Sequence, residues 1–61
     1  MTPKKGEYYY NYYKGGYAIF KCTSSENGNY AGDKVWEEKV YHDPKQAKKR
    51  VYELNGWDHD G

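Results

Sequence analysis

The stretch Asp43 to Trp57, DPKQAKKRVYELNGW, carries both a start and a stop signal for a helix, and it constrains everything before it. Asp43 suits the N-cap, because a short carboxylate accepts hydrogen bonds from the free N–H groups of a first turn. Pro44 falls at the first helical position, where its missing N–H costs nothing and its fixed φ fits. Gln46, three residues after the cap, can reach back to the Asp43 N–H as in a capping box. Asn55-Gly56 supplies the left-handed residue that ends a helix and lets Trp57 fold back onto the last turn. The spacing predicts a helix of about three turns. Ala47, Val51 and Leu54 share one face at i, i+4 and i+7, and Lys45, Lys48, Lys49 and Tyr52 take the opposite one. So short a helix is marginal in water by itself. The earlier residues must supply the surface on which it packs.

That surface cannot be mainly aliphatic. Leu54, Ile19, Val35, Val40, Val51 and Phe20 are the whole complement of Leu, Ile, Val and Phe in 61 residues. So low a fraction with a large net charge would mean disorder, but the net charge is only +1. Nine Tyr and two Trp fill the deficit. Their rings bury large areas while the tyrosine hydroxyl seeks a wet edge. The expectation is one small domain over residues 1–61, near the lower size limit for folding without staples. Residues 1–6 and 58–61 are expected to be mobile tails.

Glu7 to Tyr13, EYYYNYY, has the aromatic enrichment of a strand. Lys14-Gly15-Gly16 signals a turn, and Tyr17 to Thr23, YAIFKCT, predicts a second strand. Alternation separates Ala18, Phe20 and Cys22 from Tyr17, Ile19, Lys21 and Thr23. The first set is apolar throughout and is expected to face the helix. Ser24 to Asp33 connects onward, with Asn27-Gly28 as a tight-turn pair. If that pair is a hairpin tip its neighbours extend the strands; otherwise the stretch is a loop. Lys34 to His42, KVWEEKVYH, is expected as the third strand, with a bulge near Glu37-Glu38 because neither of its faces is cleanly apolar. The predicted architecture is α+β: a three-stranded antiparallel sheet packed on one C-terminal helix, in the order β-β-β-α.

Charge is unevenly placed, at +3 over residues 1–23, −3 over 24–38, +3 over 39–54 and −2 over 55–61. Six tyrosines fall between Tyr8 and Tyr17. Only alternate residues of a strand face the helix, so some rings must be exposed or shared with a partner. Tyr8, Tyr10, Tyr12 and Tyr17, beside Lys14 and Lys21, are therefore candidate binding residues. Aromatic rings interleaved with lysines suit stacking on bases and neutralising phosphates. The same rings suit a protein partner, and they also serve simply as bulk in a tiny core. Lys45, Lys48, Lys49 and Arg50 could lie along a phosphate backbone or form an ordinary solvated helix face.

Catalytic and metal chemistry find no support. His42, Asp58, His59 and Asp60 match no known ligand spacing. Cys22 sits mid-strand among apolar neighbours, the setting of an inert thiol. Glu37 and Glu38 are adjacent, so on a strand they point to opposite faces and form no acid–base pair. Neither a phosphate-binding glycine loop nor a nucleophile motif occurs, and no cofactor or small-molecule substrate is expected. One cysteine forms no internal disulfide, and no membrane-length apolar run or signal peptide is visible. The reading is a non-enzyme of the cytoplasm.

In layout, Tyr8 to Leu54 resembles the arm-type DNA-binding domain of phage and transposon integrases and the related AP2-like domain. The local echo is Tyr41-His42-Asp43-Pro44-Lys45-Gln46-Ala47, the run from a last strand through a capped turn into the helix. The resemblance implies a sheet face entering the major groove, with Tyr17, Ile19, Lys21, Glu37 and Lys39 as the positions that would meet DNA. The expected function is a non-catalytic binding module that uses a Tyr/Lys-rich sheet face, with nucleic acid as partner. The alternatives are a small protein-binding or inhibitory accessory protein, acting through the same rings or a strand edge, and a structural dimer. Monomer and weak homodimer are both open.

Overall fold

A computed structural model describes residues 2–57, and the possible ligands Asp58, His59 and Asp60 lie outside that range. Three strands, β1 (Tyr8–Tyr13), β2 (Gly16–Glu26) and β3 (Asn29–Lys34), precede one helix, α1 (Pro44–Asn55). They form an antiparallel sheet in the order β1-β2-β3, so the fold is the α+β arrangement β-β-β-α. No helix among the described residues is long and apolar enough to cross a membrane.

Both hairpin tips follow from local chemistry. Lys14 and Gly15 have φ of 47° and 84°, and Asn27 and Gly28 have 52° and 83°. Two successive left-handed residues match the right-handed twist of the flanking strands, and Asn and Gly adopt that conformation most readily. Asn27-Gly28 is therefore the tip of a hairpin, and its flanks lengthen β2 to Glu26 and start β3 at Asn29.

The third strand is thus Asn29–Lys34 and not Lys34–His42. Residues 35–42 instead loop beside the first part of β2. Val35 donates to the Ile19 carbonyl (2.9 Å), and Tyr41 and Tyr17 exchange backbone bonds of 2.8 and 2.7 Å. Between those two attachments the Glu38 N–H closes a turn on the Val35 carbonyl. Trp36 and Glu37 sit in that turn, so residues 35–42 form neither the expected strand nor its bulge. The bulge lies in β2, where the register shifts between Cys22 and Ser24.

Helix α1 is capped as its sequence demands. The Asp43 carboxylate accepts from the Lys45 N–H at 2.9 Å. At the other end Gly56, at φ 72°, donates to the Glu53 carbonyl, and the Trp57 N–H bonds to that of Tyr52. The Trp57 ring then meets Tyr52 edge-on, with centroids 5.3 Å apart.

Ile19, Ala47 and Val51 form the buried cluster, joined by the half-buried Tyr8, Tyr10, Tyr17, Val35, Tyr41, Tyr52 and Leu54. The helix therefore packs on the face of β2 that carries Tyr17 and Ile19, the reverse of the face expected. Ile19 is a bulkier filler than Ala18, and the small Ala47 lets the helix approach it closely. Tyr52, expected among the lysines, turns inward as well. Ala18 and Cys22 are buried too, but on the sheet face turned away from the helix. There Pro3 is buried and its carbonyl receives the Cys22 thiol at 3.9 Å, while the Gly6 N–H bonds the Cys22 carbonyl.

Val51 is 5% exposed. Val51→Ala is expected to cost about 1–3 kcal/mol, through lost burial and the cavity left behind. The check is chemical denaturation, read as a lower midpoint at unchanged slope.

Candidate functional site

Strand pairing sorts the tyrosines into two sets. Opposite residues of an antiparallel ladder share a face, so Tyr8, Tyr10 and Tyr12 lie with Lys21, Ile19 and Tyr17 on the helix side. Tyr9 and Tyr13 lie with Phe20 and Gly16 on the open side.

On the open side the rings form one continuous row across all three strands. Tyr13 meets Phe20 edge-on at 6.5 Å, Phe20 stacks on Tyr9 at 5.5 Å, and Tyr9 meets Tyr30 edge-on at 5.0 Å. Gly32 makes the row possible. A Cβ at that position would collide with the Lys21 carbonyl and lie 2.7 Å from the Tyr9 hydroxyl oxygen, so Tyr9 crosses β3 only where β3 lacks a side chain. Burial, with smaller contributions from Tyr30, Cys22 and Asp33, pushes the Tyr9 phenol above its ordinary value.

Two lysines serve the Tyr13 end of the row. Lys14, at the hairpin tip, places its ammonium 5.4 Å from the Tyr13 ring centre. Lys34, at the end of β3, lies 5.5 Å from Tyr13 and 4.2 Å from Trp36, and so bridges the two rings. Trp36 is 74% exposed and Tyr30 43%. Such cation–aromatic contacts hold a charge above a ring at modest cost in freedom. Lys14 and Trp36 are exposed, while Tyr13 and Lys34 are half-buried.

The loop that carries Trp36 is anchored to the helix. Arg50 Nε and Nη2 donate to Glu38 Oε1 and Oε2 at 2.7 and 2.9 Å, a two-pronged pair, and Arg50 also reaches Glu53 at 3.3 Å. The Glu38 side chain is 15% exposed. Hydrogen bonding from Arg50, assisted by its charge and opposed by burial, holds the Glu38 carboxyl below its ordinary value.

The expected site residues are distributed over different surfaces. Tyr8, Tyr10 and Tyr17 help close the core on the helix side. Tyr12 shares their face but is 66% exposed. Lys21 sits over the Tyr8 ring at 5.6 Å and Lys39 over Tyr41 at 5.0 Å. Lys45, Lys48 and Lys49 are exposed on the helix, with Lys48 5.7 Å from the Tyr52 ring. Of the expected lysines, Lys14 is the one whose contact lies in the open-face row. Of the positions implied by the integrase-like layout, Tyr17 and Ile19 face the helix, while Glu37 and Lys39 lie in the 35–42 loop. Tyr9, Tyr13, Phe20, Tyr30, Lys34 and Trp36 were not among the expected site residues. Assigning the bulkiest aliphatic of β2 to the helix side would have put Tyr9, Tyr13 and Phe20 on the open face.

Among the described residues no three His, Cys, Asp or Glu side chains gather as a cation site. A cleft of about 370 Å³ lies along β1, between Tyr8 and Tyr10, Tyr52 and Trp57, and Pro3. Comparison with known proteins finds no matching family model, no similar curated protein and no similar solved structure.

Glu38 stays ionised to lower pH in the folded protein than in the unfolded chain. Its stabilisation is therefore whole above the unfolded value, about 4.3, and is lost as pH falls through the lower folded value. Glu38→Gln is expected to lower the melting temperature at pH 7, and its deficit against the wild type should shrink below about pH 4. Thermal melts across that range check this, and a constant deficit would refute it.

Proposed function

We propose that this protein is a non-catalytic module that binds single-stranded nucleic acid on the open face of its sheet. The observation that carries the reading is the unbroken ring row Tyr13–Phe20–Tyr9–Tyr30 with Lys34 held between Tyr13 and the exposed Trp36. Bases of any identity stack on aromatic rings, and lysines beside those rings neutralise the phosphates that link the bases. Successive rings of the row lie 5.0 to 6.5 Å apart, centre to centre, across the three strands. A net charge of +1 gives little long-range attraction. Affinity on this reading comes mainly from stacking, with Lys14 and Lys34 adding a local electrostatic contribution.

Fluorescence anisotropy of a dye-labelled short oligothymidine, set against a labelled duplex of equal length, tests the proposal. The single strand should bind more tightly, and its affinity should fall with added salt by a log–log slope of about 0.7 per phosphate neutralised. Lys34→Ala should flatten that slope. Trp36→Ala, at a position 74% exposed and so of little consequence for folding, should cost about 1–3 kcal/mol of binding. Saturable binding that ignores salt and both substitutions would sink the proposal, as would no binding at all. Preference for the duplex would sink the single-strand reading and favour docking in a groove.

A further inference from the structure

β1 is an edge strand, paired with β2 on one side. In an antiparallel ladder alternate residues turn their backbone groups outward, and on β1 these are Tyr8, Tyr10 and Tyr12. Asn55 occupies the first of them. Its side-chain amide donates to the Tyr8 carbonyl at 3.0 Å and accepts from the Tyr8 N–H at 2.8 Å. The Tyr12 N–H is taken by the side chain of its own neighbour Asn11, at 2.8 Å. The Tyr10 N–H and carbonyl and the Tyr12 carbonyl have no protein partner among the described residues. The cleft of about 370 Å³ opens beside the Tyr8–Tyr10 end of this edge.

Edge strands are ordinarily protected by charge, proline or a bulge. Tyr8–Tyr13 contains neither charge nor proline, and its register with β2 is unbroken. The segment Tyr9-Tyr10-Asn11-Tyr12-Tyr13 also reads identically in both directions about Asn11. Two copies paired antiparallel about a two-fold axis bring each residue opposite the one equally far on the other side of the centre. A palindrome is the sequence that makes every such pair match.

We propose that β1 pairs with β1 of a second copy of this chain, centred on Asn11, to give one continuous sheet across the dimer. Tyr10 of each copy exchanges backbone bonds with Tyr12 of the other, and the Tyr12 N–H leaves the Asn11 side chain to do so. The two freed Asn11 amides meet across the axis on the open face. Tyr9 lies opposite Tyr13 of the second copy on that same face, so the two aromatic rows become one. On the helix side Tyr12, 66% exposed in the single chain, is covered by Tyr10 of the second copy. Cross-strand aromatic pairs of this kind stabilise a sheet. Asn55 ends the pairing at Tyr8. The dimer goes beyond the nucleic-acid reading and does not depend on it.

Sedimentation equilibrium together with backbone amide hydrogen exchange tests the inference. A reversible monomer–dimer equilibrium is expected, with protection of the Tyr10 amide rising as the dimer fills. Asn11→Lys sets like charges face to face at the axis of the dimer. It should weaken dimerisation at least about tenfold, a change of ~1.4 kcal/mol, while leaving the thermal melt of the dilute monomer in place. A mass that stays monomeric at every concentration overturns the inference. So does a dimer whose Tyr10 amide remains unprotected, a readout that needs no variant, and so does a dimer indifferent to Asn11→Lys.

Discussion

Ile19 of β2 meets Ala47 and Val51 of α1, and the rest of the structure follows from that contact. Among the described residues these are the buried aliphatics, apart from Ala18 on the other face. A helix of 12 residues needs a packed face to persist, and three side chains cover too little area to provide it. Half-buried tyrosines from β1 and β2 finish the job, and among the described residues none leaves a buried hydroxyl unpaired. Once Ile19 is committed to the helix, strand alternation sends Tyr9, Tyr13 and Phe20 to the other face. Core and candidate binding surface are two consequences of one choice of face.

Tertiary bonds then fix the pieces that packing alone would leave loose. Asn55 grips both backbone groups of Tyr8, which ties the last residue of the helix to the first of the sheet. Arg50 grips Glu38 with both prongs of its guanidinium, which ties the 35–42 loop to the helix surface. A bidentate pair of this kind fixes orientation as well as distance. The Trp36 turn, and with it the position of Trp36 against Lys34, is held at the foot of the loop. Stability and presentation of the aromatic row are in this sense coupled.

Much of the architecture is legible in the sequence because its causes are local. Asp43, Pro44 and Gly56 bound the helix by chemistry that acts within a turn, and Asn27-Gly28 marks a hairpin for the same reason. The face of β2 was not legible. Alternation yields two sets, and choosing between them requires knowing that Ile19 is needed against Ala47 while Pro3 covers Cys22. Strand β3 is readable in the sequence only as a conditional flank of the Asn27-Gly28 tip, because NYAGDK is poor in strand formers. It pairs because the Asn27-Gly28 tip delivers it to β2, and its glycine is what Tyr9 requires. Val35, Trp36, Val40 and Tyr41 look like a strand, yet the first and last of them merely touch β2 while the middle loops away. Asn55 looked like a turn residue, and its bond to a residue 47 positions earlier leaves no trace in local pattern.

The open-face row is the claim to which the proposed function reduces, and backbone amide shifts on adding a single-stranded oligonucleotide test it most directly. Perturbations should gather at Tyr9, Tyr13, Lys14, Phe20, Tyr30, Lys34 and Trp36, and leave the exposed helix positions Lys45 and Lys49 unmoved. Shifts confined to the helix lysines, or none anywhere, would contradict the account.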